Sequence, residues 1–133
     1  MKDCIFCKII NGEIPSWKVY EDEKTYAFLD VQPIARYHTL VVPKAHYENI
    51  YDIPENLYLD VMKTTKAIAR LYSDKLGLDN LQLFHNAGPL TLQSVFHFHM
   101  HIIPRTEEDK HQFSLKIRPE LVEQFPVMID KLK

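Results

Sequence analysis

A chain of 133 residues, 46% hydrophobic and 26% charged, has the make-up of one globular domain, able to bury about two-thirds of its unfolded surface. Its net charge of −2 excludes the basic footprint that general nucleic-acid binding needs. No apolar run reaches membrane-span length and no signal-type apolar stretch follows Met1-Lys2-Asp3-Cys4, so a cytoplasmic protein without nucleic-acid or membrane partners is expected.

In chain order, Cys4 to Ile10 predicts a short helical turn stopped at Asn11-Gly12. Trp17–Tyr20 and Thr25–Leu29 flank the polar run Glu21-Asp22-Glu23-Lys24 and predict a β-hairpin. Thr39-Leu40-Val41-Val42-Pro43 predicts a central strand. Then the period changes: Leu57, Val61, Thr65, Ile68, Tyr72 and Leu76 recur every three or four residues, as on one face of a helix. Pro54 suits its first turn and Gly77 its end. Leu81–His85 predicts a fourth strand and His97–Pro104 a fifth. Pro119 is placed to open a short helix that Pro126 would break, and residues 106–133 are left unassigned. The expectation is a single α+β domain, a five-stranded mainly antiparallel sheet with one long helix and short helical turns.

The chemistry concentrates in His97-Phe98-His99-Met100-His101-Ile102-Ile103. On a strand, alternation puts the three imidazoles on one face about 6.5–7 Å apart, with the apolar residues on the other. Three such rings offer nucleophilic and hydrogen-bonding nitrogens to a small anion or a metal. The loop before them carries Asn86, Gln93 and Ser94, donors suited to a phosphate, and Gly88 for a close turn. The only cysteines, Cys4 and Cys7, are too local to staple the fold; they bind metal, do redox chemistry or are inert. His85 and His111 fit no motif and are read as structural or surface residues.

The triplet resembles the defining motif of the histidine triad (HIT) superfamily. Asp3–Ile10 through Ile14-Pro15, Ala27–Pro33 and His38–His46 are similar, in order and spacing, to bacterial members of the Hint-like branch. The resemblance covers about residues 3–105. It implies a nucleotide-binding hydrolase or transferase cleaving nucleoside 5′-phosphoramidates or related phosphoanhydrides. His99 would be the nucleophile, forming a covalent nucleotidyl-histidine, with its other ring nitrogen held by the His97 carbonyl. His101 and His38 match phosphate-contacting positions. Asn86, Gln93 and Ser94 match residues that hold the phosphate or help the leaving group. Asp30 matches the ribose-binding carboxylate, and Ile5, Phe6, Ile9, Phe28 and Val31 match the slot for a purine base, adenine or guanine.

The resemblance further implies a closed, structural Zn²⁺ site of Cys4, Cys7, His46 and His97, and a homodimer. Dinucleoside polyphosphate hydrolysis, a zinc-stabilised nucleotide-binding or scaffolding protein with little activity, and a metal-dependent enzyme are the rival readings. Two departures stand out. Thr91 and Leu92 replace small residues, often glycine, where the loop backbone approaches phosphate, and so narrow the pocket or alter the leaving group. Tyr37 precedes His38 where glycine or another residue is frequent.

Overall fold

The computed structural model describes residues 3–109 and 115–133. The elements are α1 (Ile5–Ile10), β1 (Lys18–Glu21), β2 (Thr25–Leu29), β3 (Thr39–Pro43), α2 (Glu55–Leu76), β4 (Leu81–Phe84), β5 (Met100–Pro104) and α3 (Phe125–Asp130). The strands form one sheet in the order β1-β2-β3-β5-β4, with every neighbouring pair antiparallel. The expected α+β architecture is present. Among the described residues no helix is long and apolar enough to cross a membrane.

Strand alternation gives the sheet two faces. Ala27, Val41, Phe98, Met100 and Ile102 pack with Leu57, Val61, Ile68 and Tyr72 of α2. Each fully buried aliphatic side chain there contributes roughly 1.5–3 kcal/mol. Thr25 and Thr39 point the same way and stay satisfied under the helix, their hydroxyls lying 2.7 Å from Thr64 Oγ1 and from Tyr72 Oη. The opposite face presents Tyr26, Phe28, Leu40 and Val42, covered by Phe6 and Ile9 of α1. The triad histidines share this second face, so α1 is both a core element and one wall of whatever the histidines serve.

The 22-residue α2 ends where Gly77 takes a left-handed φ of 67°, which lets Leu78 N–H return to the Tyr72 carbonyl. Pro54 precedes the helix in extended conformation.

One expectation changes. The fifth strand starts at Met100, not His97, because its ladder with β3 ends at Val41↔Met100. Before that point Phe98 N–H donates to the Tyr47 carbonyl, and His97 is tied down by its side chain. In the tail, left unassigned from the sequence, Pro119 opens a 3₁₀ turn, Pro119–Gln124, that stops before Pro126, and Pro126 sits in the first turn of α3, where its missing N–H costs no intrahelical bond. His111 lies outside the described residues.

Candidate functional site

Where the β3–β5 ladder stops, His97 and His99 leave the sheet with their backbone free to bond side chains. His99 Nδ1–H donates to the His97 carbonyl at 2.7 Å. A carbonyl only accepts, so Nδ1 carries the proton and Nε2 keeps its lone pair. Beside it, Ile34 N–H donates to His38 Nδ1 at 3.2 Å, which places the proton of neutral His38 on Nε2. That Nε2–H donates to His101 Nδ1 at 2.9 Å, so His101 carries its proton on Nε2. Asp30 Oδ2 lies 3.5 Å from His38 Nε2, while Asp30 Oδ1 accepts from Gln32 N–H at 2.8 Å. The backbone thus presents one nucleophilic nitrogen on His99 and one N–H donor on His101.

At the other end of the segment His97 Nε2–H donates to the Pro43 carbonyl at 2.8 Å, leaving the Nδ1 lone pair free. Nδ1 lies 3.3 Å from Cys4 Sγ, 3.5 Å from Cys7 Sγ and 3.2 Å from His46 Nδ1, and Cys7 Sγ is 3.5 Å from His46 Nδ1. The four ligand atoms all lie within 4.8 Å of one another. A tetrahedral Zn²⁺ with ordinary Zn–S and Zn–N bonds sets its ligands about 3.3–3.8 Å apart, so the cluster has the size and donor set for that ion. Asp30, His38 and His101 also bring ligand atoms within 4.8 Å. There, however, the Ile34 N–H makes His38 Nε2 a proton donor, which a metal ligand cannot be.

Between α1, β2 and the β4–β5 loop lies a cavity of about 370 Å³. Ile5, Phe6, Ile9, Phe28, Val31, Asp30, Asn86, Ser94, His99 and His101 all line it. Phe6 meets the His99 ring edge-on at 5.1 Å and Phe28 at 5.5 Å. Two expected phosphate contacts are elsewhere. His38 is buried behind His101 and outside the lining. Gln93 is also buried: its Oε1 accepts from Gly88 N–H at 2.8 Å, and its Nε2 donates to the Glu48 and Val95 carbonyls at 2.8 and 3.2 Å. Its amide braces the loop. Of the two departures in that loop, Leu92 lines the cavity, whereas Thr91 turns its hydroxyl to the Gly88 carbonyl.

The HIT domain family matches residues 11–108. The chain belongs to the HIT-domain family. It is 49% identical over 104 residues to Protein hit of Bacillus subtilis, covering 78% of this chain and 72% of that one. It is 43% identical over 105 residues to the adenosine 5′-monophosphoramidase HNT1 of Saccharomyces cerevisiae, covering 79% and 64%. Among solved structures, a Zn-bound histidine triad family protein of Mycobacterium smegmatis superimposes with a TM-score of 0.79 at 31% identity, covering 99% of each chain.

In this HIT domain burial keeps the imidazoles neutral. It lowers the pKa of His99, partly offset by the bond to the His97 carbonyl, and that of His38, partly offset by Asp30. Burial, then the neighbouring His99 and His38, push His101 down to about 4. Burial likewise takes His97 to about 4 against the pull of the Pro43 carbonyl. The Cys7 thiol is raised by burial and by Cys4, so a metal would have to compete with a proton for it.

One residue of consequence carried no sequence signal. His85 stacks on Phe98 with ring centroids 4.2 Å apart. Its Nε2 accepts from Ile50 N–H at 3.1 Å, so its Nδ1–H donates to the His99 carbonyl at 3.2 Å. Past the last β4–β5 pair, Phe84↔His101, the imidazole continues the ladder by side chain and steadies the backbone of His99. Only the strand register, which the sequence does not display, reveals this.

Proposed function

We propose that the protein hydrolyses purine nucleoside 5′-phosphoramidates through a covalent nucleotidyl-His99. The observation that carries this is the 2.7 Å bond from His99 Nδ1 to the His97 carbonyl, which makes Nε2 of a cavity-lining, neutral imidazole the available nucleophile. The base fits between Phe6, Ile9 and Phe28, and Asp30 accepts from the ribose hydroxyls. His99 Nε2 attacks the α-phosphorus. The P–N bond to the amine breaks, and its electron pair leaves with the amine, which takes a proton supplied through the Ser94 hydroxyl from water. His101 Nε2–H donates to a phosphate oxygen, its tautomer set by His38. The adduct ring is cationic, so its Nδ1–H bond to the His97 carbonyl becomes charge-assisted. Water then attacks phosphorus, the Nε2–P bond breaks, the electron pair returns to Nε2, and the nucleoside monophosphate leaves as water's proton passes to solvent.

Cys4, Cys7, His46 and His97 would hold Zn²⁺ as a structural tie between α1 and the catalytic segment; with four protein ligands it leaves no place for an attacking water. The names of the yeast phosphoramidase and the Zn-bound mycobacterial relative support both readings. A homodimer fits the exposed leucines 59, 71 and 76 of α2 and Leu83 of β4, and light scattering tests it.

The function test is incubation with adenosine 5′-phosphoramidate and, separately, a diadenosine polyphosphate, with kcat/KM measured for each. AMP release from the phosphoramidate and an acid-labile nucleotidyl adduct in single turnover are expected. Faster cleavage of the polyphosphate, or turnover with no adduct in quenched samples, contradicts the proposal.

A further inference from the structure

Leu92 sits at φ +67°, a left-handed conformation in which its β-carbon is crowded and which glycine adopts freely. Its side chain is 86% exposed, so no packing inside the domain compensates for the strain. Its position is nevertheless fixed. Leu92 N–H donates to the Pro89 carbonyl at 3.2 Å, Thr91 N–H and Oγ1 both reach the Gly88 carbonyl, and the Gln93 amide ties the loop to Gly88 and Glu48. A strained, solvent-facing, firmly held leucine lines the cavity that contains His99.

The cavity has two unlike walls. Phe6 and Phe28 of the α1–β2 wall, with Asp30, suit base and ribose. With those filled and phosphorus at His99, the group bonded to phosphorus is left against the β4–β5 loop, where Asn86, Leu92 and Ser94 face it. Among the described residues no lysine or arginine lines the cavity, and its one charged side chain is the Asp30 carboxylate. A polyphosphate or a carboxylate-bearing leaving group would find no countercharge there, whereas an apolar one would find Leu92.

We propose that Leu92 determines leaving-group specificity: the substrates are nucleoside phosphoramidates of apolar alkyl- or arylamines, and anionic leaving groups are rejected. This rests on the phosphoramidase reading. The step is P–N cleavage as above, the amine departing with the bond's electron pair and gaining one proton.

The test compares three adenosine 5′-phosphoramidates, of methylamine, phenethylamine and glutamate, on the zinc-loaded wild type and on Leu92→Gly. Methylamine and phenethylamine differ mainly in apolar bulk, so their kcat/KM ratio reads the pocket. Glycine at this φ is unstrained, so the variant keeps or gains thermal stability. The wild type is expected to favour phenethylamine over methylamine by about tenfold and to use the glutamate compound least; Leu92→Gly loses about that factor of preference. An unchanged ratio in Leu92→Gly, or a wild-type preference for the glutamate substrate, overturns the assignment to Leu92. Failure of the wild type on all three overturns the phosphoramidase reading beneath it.

Discussion

His97 and His99 stand two residues apart, share a face and are both buried and neutral, yet they belong to different chemistries. The backbone separates them. The Pro43 carbonyl holds Nε2–H of His97 and turns the Nδ1 lone pair to two thiols and a second imidazole. The His97 carbonyl holds Nδ1–H of His99 and leaves the Nε2 lone pair for substrate. One end of the segment thereby offers a cluster of metal-ligand atoms and the other a free imidazole nitrogen beside an N–H donor. Side-chain identity alone does not sort the roles; which ring nitrogen a backbone group occupies does.

The contrast breaks first at His99. His99→Ala is expected to lower kcat by at least about 10³-fold while nucleotide binding and Tm stay near wild type, because the proposed mechanism loses only its nucleophile. Rapid-quench kinetics with an isothermal binding titration check this, and near-normal kcat contradicts it. Behind His101, His38→Leu removes the donor that sets the His101 tautomer. A fall in kcat of about 10–100-fold, with a smaller change in KM, is expected from steady-state kinetics. An effect on KM alone would mean that His38 serves binding only.

At the other end, Cys4→Ser/Cys7→Ser should purify without zinc and lose roughly 5–10 °C in Tm, since α1 is no longer tied to the catalytic segment. Elemental analysis and calorimetry read this, and single-turnover adduct formation should persist. Zinc retained in the double variant would move the metal elsewhere. The smallest effect is in pH. His101, held near 4 when folded, has an ordinary value near 6.5 when unfolded, so between those values the unfolded chain binds the extra proton. Stability is therefore full above about pH 6.5 and declines as pH falls toward 4. His101→Asn should flatten that decline by up to one proton in the slope of unfolding free energy against pH, and an unchanged slope counts against the burial of a neutral His101.

The sequence displayed much of this frame. The strand spans Thr25–Leu29 and Thr39–Pro43 match residue for residue, and α2 buries its apolar period from Leu57 to Tyr72, because short apolar runs and helical periodicity record burial directly, although Leu76 at the helix end is exposed. That residues as distant in sequence as Phe6, Asp30 and His99 share one cavity is spatial information that spacing alone does not carry. Much of what stayed hidden depends on where ladders stop. The late start of β5, the bracing role of Gln93 and the His85 bond to the His99 carbonyl follow from backbone groups left without a strand partner, and the placing of His38 behind His101 from a bond between the two side chains. The turn begun at Pro119 does stop before Pro126, but α3 stayed hidden because a proline breaks a helix interior yet suits a first turn.

The central claim is that backbone partners set the histidine tautomers, and long-range ¹H–¹⁵N correlation NMR of the imidazoles at pH 7 reads them directly. Neutral rings are expected throughout, with the proton on Nδ1 of His99 and on Nε2 of His38, His97 and His101. A His99 ring protonated on Nε2, or a charged His99, would contradict it.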